Sequence, residues 1–394
     1  MQSNKLRMAI RATAAVAVLG VAGQASAVNF NAGDYELNLY GYGRLNASYD
    51  IDSNQALSTR SGSFEDLAGN DDAADGHFGA DAFQSRIGLT TMTPEGVKIN
   101  VEGDFRGGGG GTLRLRHAYG EYNGVLMGQT WSNFNSFVGN TATLDFDSLP
   151  GLAGLQNRVA QARYTSGPLS ISLEDPQNTI VGAGLDDDGD PAVLAVDGKD
   201  SLPAFTARLE DAAGGLSYSA AILAHQVGYD TGADDESTFG FATFIAAKMA
   251  LTDMITIQGT LSYSDGANSY LYRSGENFGA ASAYVDPTGD VEALSGYGGS
   301  IGAGINLGGG RSVNIGYGLV EVDWDDAEDD AATAGFAGVV GSQSETNSAI
   351  MANYQWTPVQ NVMMGVEYQF LQRDNVDGTD GDANRILFAA QYNF

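Results

Sequence analysis

About sixteen segments of this chain alternate apolar and polar side chains with a period of two. That period sends successive side chains to opposite faces of a strand. In Glu36–Asp50, Leu37, Leu39, Leu45, Ala47 and Tyr49 share one face, and Asn38, Arg44, Asn46 and Ser48 the other. In Val97–Arg106, Val97, Ile99, Val101 and Phe105 oppose Lys98, Asn100, Glu102, Asp104 and Arg106. The same grammar runs through Phe83–Thr93, Leu113–Tyr122, Val125–Thr130, Arg158–Ser166 and Leu169–Leu173, and on to Asn384–Phe394. Short connections such as Thr93–Gly96, Asn123-Gly124 and Gly167-Pro168 tend to alternate with long, polar, acidic ones: Ile51–Ala82, Gln177–Ser201, Asp265–Glu292 and Asp323–Thr346. A sandwich also alternates, but without a regular loop asymmetry. Tight turns on one rim and long loops on the other suit a membrane barrel, whose strands need only about 9–11 tilted residues. The expected fold is all-β: a transmembrane antiparallel barrel of about 16 strands.

The first 27 residues have the form of an export signal. Lys5, Arg7 and Arg11 precede the apolar run Ala12–Val21, and Ala25-Ser26-Ala27 has the small-x-small form of a cleavage site. Residues 28–394 are then the barrel domain. The chain carries 49 acidic and 19 basic residues, a net charge of -30, which argues against nucleic acid as a partner. An exported chain with no cysteine must close through its backbone rather than through disulfides.

The stretch Leu113–Ser166 stands apart. Asn123-Gly124 joins two alternating segments and is a strong hairpin signal. From Trp131 to about Asn157 the alternation stops, yet Phe134, Phe137, Phe146 and Pro150 make the segment too apolar for disorder. It should pack against something, and the interior of a closed barrel is the available place. We therefore expect an inward-folded loop after the fifth strand, with Thr130–Phe137 and Leu144–Asp147 facing the lumen.

Little points to an enzyme. His77, His117 and His225 lack metal-ligand spacing, and no Gly-x-Ser-x-Gly elbow occurs. Gly107–Gly111 is followed by no lysine and reads as a turn. The dense carboxylates at Asp186–Asp190 and Asp323–Asp330 lack the closing glutamate of an EF-hand and read as solvated loops. No catalytic residue, metal or cofactor is expected. The arginines carry more. Arg44, Arg86, Arg106, Arg114, Arg116 and Arg158 fall on polar faces of the first six strands, and Arg208 on a later one. Arg163 shares parity with Val159 and Gln161. Lipid-facing charge costs about 2–4 kcal/mol near the midplane, so the arginines on the polar faces, Arg163 left aside, should point into the lumen. With Asp145 and Asp147 of the loop they would set a field across a narrow opening.

The ordered set RLRHAYGEYNGVLMGQTWSNF, LDF and QNRVAQARYTSGPLSISLEDPQ, between Arg114 and Gln177, resembles the trimeric outer-membrane porins of the DcaP type. Looser likeness extends to Leu39–Tyr42, Phe83–Gly88 and the terminal Tyr392-Asn393-Phe394. The resemblance implies an outer-membrane location, a sixteen-stranded barrel, a homotrimer, and passive diffusion of small anions such as dicarboxylates through an arginine-lined eyelet. It also implies that Phe394, ending an outward apolar face, addresses the barrel-assembly machinery. Some members carry a helical stalk before the barrel; here only Val28–Asp34 separates signal from barrel.

Overall fold

The computed structural model describes residues 28–53, 62–65, 67–68, 76–185, 190–232 and 234–394. The expected signal, and Asp186–Gly189 of one acidic loop, lie outside the described residues. Sixteen antiparallel strands close on themselves. They are β1 Tyr35–Asp50, β2 Arg86–Met92, β3 Lys98–Gly107, β4 Thr112–Tyr122, β5 Val125–Trp131 and β6 Arg158–Ser166. Then follow β7 Leu169–Glu174, β8 Ala204–Ala213, β9 Leu216–Asp230, β10 Asp235–Ala250 and β11 Ile255–Asp265. The set ends with β12 Ser295–Gly308, β13 Arg311–Val322, β14 Ser344–Val359, β15 Val362–Asn375 and β16 Asp380–Asn393. Closure pairs β1 with β16, from Tyr42 against Asn393 to Asp50 against Arg385. Below that pairing, Val28–Ala32 folds back along the start of β1, with Val28 opposite Leu39. Closure leaves no long open edge, which answers the lack of disulfides.

The wall separates two solvents. Leu113, Met127 and Ile301 project outward with 63%, 63% and 66% of their surface bare. Each such side chain would cost about 1.5–3 kcal/mol if left in water, so the outer band belongs in lipid. On the inner face Asn46, Asp104, Thr206 and Gln369 are almost wholly covered. No helix among the described residues is long and apolar enough to cross a membrane; the strands do the crossing.

Two departures from the sequence reading have physical causes. The segment Phe83–Thr93 is not one strand: a separate piece, His77–Asp81, pairs with the upper part of β1, and Ala82–Ser85 interrupts the ladder. Phe83 sits in that gap over the five-glycine turn. A Cβ at Gly110 would fall 2.2 Å from the Phe83 ring, so only glycine admits the ring there. Second, the long acidic connections are not merely solvated. Ile180–Leu185, Pro191–Val196, Ala283–Val285 and Val291–Ala293 form a second, four-stranded sheet outside the barrel. The helix Asp325–Thr333 buries Ala327 and Ala331 beside Trp324, Tyr284 and Val340. Alternation over three to six residues is too short to register against an acidic background.

Candidate functional site

The site is built where β1–β8 meet the segment 132–157. The β4–β5 hairpin turns tightly because Asn123 and Gly124 both take left-handed backbone, with φ of 50° and 83°. β5 then delivers the chain into the barrel. Glu174 of β7 catches its first residues, accepting from Ser132 Oγ and Asn133 N–H at 2.6 Å each. Phe134 packs on Phe244 of β10, ring centroids 5.1 Å apart. Farther round the wall, Gln258 donates to Thr141 Oγ1 (3.2 Å) and Asn353 to the Ala142 carbonyl (2.8 Å). Glu367 of β15 accepts the N–H groups of Leu144 and Asp145, at 2.7 and 3.1 Å. Arg44 returns to β1 by donating to the Leu144 carbonyl at 2.6 Å. The segment therefore crosses the interior and is fastened to several strands around the wall.

One part of that wall has almost no side chains. Gly298 and Gly302 of β12, and Gly316 and Gly318 of β13, face inward under the loop. A Cβ at Gly318 would stand 2.3 Å from the Pro150 carbonyl oxygen, and one at Gly302 would stand 2.0 Å from Thr141 Oγ1. This seat does not show in the alternation of the strands. Glycines repeating at even spacing inside strands were the available signal, because interior strand glycine marks close backbone approach.

The opposite wall is charged. Arg114 grips Asp104 with two bonds, 3.1 and 2.8 Å. Arg116 lies between Glu102 (2.8 Å) and Asp104 (3.0 Å) and is 1% exposed. Arg86 is 3.3 Å from Glu102, and Arg106 is 3.8 Å from Asp147 of the loop. Arg158 lies 4.5 Å above the Trp131 ring, and its Nη1 has no hydrogen-bond partner among the described residues. Phe146 stands 5.4 Å from both Arg106 and Arg116, so the loop inserts an aromatic face between them. Four guanidinium groups thus share three carboxylates, and a fifth, Arg158, rests on Trp131 instead. Buried ion pairs persist only when well hydrogen-bonded, as Arg116 is to Glu102 and Asp104.

The other expected site residues are placed differently. Arg44 is used up in holding the loop, bonding Asn46, Gln391 and the Leu144 carbonyl. Arg208 donates to the Asn135 carbonyl and lies 3.9 Å from Glu210. Arg163 lines the interior with Gln156 and Pro168. Asp147 reaches the arginine wall, whereas Asp145 turns toward β15 and accepts from Gln369 at 3.0 Å. Burial pushes the Asp145 carboxyl above the usual carboxylate range, and the charge on Asp147 adds to the shift. Between loop and arginine wall remains an open cavity of about 1230 Å³, bordered by Arg86, Arg116, Trp131, Phe137 and Asp147. No cluster of three or more potential metal ligands occurs among the described residues.

A match to the family described as DcaP outer membrane protein spans residues 22–287, about two thirds of the chain. The chain belongs to the DcaP outer membrane protein family. Among solved structures it is similar to the outer membrane channel DcaP of Acinetobacter baumannii, at 29% identity and a TM-score of 0.76. That likeness covers 93% of this chain and 100% of the other. The anion-selective porin of Comamonas acidovorans shares the fold at 13% identity and a TM-score of 0.59, covering 91% of this chain and 100% of its own. The OmpF porin of Salmonella typhi, solved in complex with daunomycin, does so at 12% identity and 0.56, over 93% and 100%. No curated protein sequence matches. This DcaP-family chain is an outer-membrane β-barrel channel of the porin class.

Proposed function

We propose that this protein lets small hydrophilic solutes diffuse passively across the outer membrane, favours anions such as dicarboxylates, and makes its constriction from segment 132–157 and the arginine wall. One observation carries the reading: the wall holds five guanidinium groups for three carboxylates, with Arg158 facing no carboxylate at bonding distance among the described residues. An entering carboxylate loses water and regains charge-assisted bonds from planar donors, which suit it geometrically. Binding that is shared among several arginines stays weak enough at each for release. No bond is made or broken; the solute gradient drives passage. In this reading the chain acts as a homotrimer in the lipid of the outer membrane, and Phe394, next to β16, is presented to the assembly machinery.

The net charge of -30 favours a second reading, a cation-preferring pore. Screening limits the reach of surface carboxylates to about 8 Å at physiological salt, so the constriction should prevail. The deciding experiment is single-channel recording in a planar bilayer under a potassium chloride gradient. Chloride preference with conductance steps grouped in threes is expected. Arg114→Ala with Arg116→Ala should move the reversal potential toward cation preference, because Asp104 loses both its arginines and Glu102 keeps only Arg86. Cation preference in the unaltered protein, or an unmoved reversal potential in the double variant, refutes the proposal. Absence of conductance would point to a plugged barrel with a structural or adhesive role, against which the open cavity argues.

A further inference from the structure

Inside the barrel, three connections meet at one side chain. Arg273, in the connection after β11, is 1% exposed and has a left-handed backbone, φ 61°. Outside glycine, asparagine and aspartate such a conformation is strained, and it persists where surroundings over-determine it. Here they do. Its Nη1 donates to the Ser148 carbonyl of the segment 132–157, and its Nη2 to the Gly62 carbonyl of the connection after β1, both at 2.5 Å. Its guanidinium plane lies 4.6 Å over the Phe64 ring. Its own carbonyl accepts from Asn347 of β14 at 3.0 Å. One cation therefore joins three connections and the wall.

Neighbouring groups reinforce the junction. Asp145 Oδ2 accepts the Gly62 N–H at 2.8 Å, so Gly62 is held at both its N–H and its carbonyl. The Gly151 N–H donates to the Tyr272 carbonyl and the Phe64 N–H to the Glu276 carbonyl, at 3.0 and 2.9 Å. Beneath lies an apolar body of Phe64, Leu149, Leu152, Tyr272, Met351 and Leu371. Phe64 and Leu149 are fully buried. A lone guanidinium placed here costs several kcal/mol in lost hydration unless its donors find acceptors. Nη1 and Nη2 find acceptors only when Gly62 and Ser148 both present their carbonyls, while Nε has none among the described residues. The side chain therefore favours the assembled arrangement over any in which one segment has left.

We infer that Arg273 is the residue that sets the size limit of the pore: it locks the three segments into a plug and confines solutes to the arginine side of the barrel. It is a positioning residue, held by Ser148 and Gly62 rather than facing solute. The inference rests on the porin reading above and adds the part of the wall that excludes. Without the two carbonyl contacts the plug loses its cross-link, and the space it fills becomes available to solute.

The test uses the full-length protein in proteoliposomes and planar bilayers, with Arg273→Ala, Arg273→Lys and Phe64→Ala. Heat-shifted gel mobility first establishes that each barrel is folded. Liposome swelling with neutral sugars of increasing size then reads the size limit directly. Arg273→Ala should admit larger sugars and raise the single-channel conductance. Arg273→Lys, whose ammonium is a single charged centre without the planar fork, should fall between it and the unaltered protein. Should Arg273→Ala fail to fold, Phe64→Ala removes the apolar side of the same junction and should shift the limit upward. A folded variant with an unchanged size limit and conductance overturns the inference, even if chloride preference is intact. Loss of chloride preference in the unaltered protein would instead refute the anion reading and leave the size argument standing.

Discussion

Placing a methyl group at Gly302 tests the glycine seat most directly. The backbone there is ordinary strand, so alanine meets no conformational penalty. The cost is steric. The new Cβ would fall 2.0 Å from Thr141 Oγ1, 3.0 Å from Thr141 Cβ and 2.8 Å from the Ile315 carbonyl oxygen. Overpacking of this kind costs about 1–3 kcal/mol. Pushing Thr141 aside also breaks its bond to Gln258, 3.2 Å long, worth about 1 kcal/mol. Together about 2–4 kcal/mol is set against the seated loop. At 1.4 kcal/mol per tenfold, the ratio of seated to unseated loop falls by about thirtyfold to a thousandfold. Single-channel recording should show a noisier, larger conductance, and the thermal midpoint should drop. Thr141→Gly removes both Thr141 atoms that collide. In a double-mutant cycle the pair should therefore recover part of the loss, with a coupling of about 1–3 kcal/mol. Recovery stays partial because the Ile315 contact remains. If Gly302→Ala leaves conductance and stability unchanged, or the two substitutions are simply additive, the loop does not rest on this wall as described.

Two further expectations follow from the two faces of the barrel. Ile301 neighbours Gly302 on β12 but faces lipid, so Ile301→Arg should lower barrel stability by about 2–4 kcal/mol near the midplane. Urea unfolding in lipid vesicles reads the change, and a neutral result would place Ile301 outside the hydrocarbon. At Asp145, burial and Asp147 raise the carboxyl above its unfolded value, so the fold binds the proton more tightly than the unfolded chain does. The sign is then set: this group adds stability as pH falls through its folded pKa and removes it as pH rises. Asp145→Asn should flatten that dependence in melting curves taken at pH values above the ordinary carboxylate range. A variant that keeps the full pH dependence would show that the proton is taken up elsewhere.

The barrel was legible in the sequence because lipid outside and water inside impose one polarity on each face of every strand. Fifteen side chains from Glu36 to Asp50 suffice to show it, and closure through Tyr42–Asp50 on the last strand follows from having no free edge. The break in composition at Trp131 likewise announced a segment with a fate of its own. Parity also brought Arg86, Arg106, Arg114 and Arg116 inward as a group.

What tertiary structure alone decided is which charges are spent and which remain. Arg44 and Arg114 look equivalent along the chain, yet one holds the Leu144 carbonyl and the other grips Asp104. Asp145 and Asp147 are two residues apart, yet one faces β15 and the other Arg106. Arg273 sits among acidic loop residues, and its role depends on Gly62 and Ser148, 211 and 125 positions away. Alternation is a local property, written within a few residues by the solvent on each side. The pairing of a buried charge with its acceptors is set by contacts distant in sequence, and exists only once the barrel has closed around them.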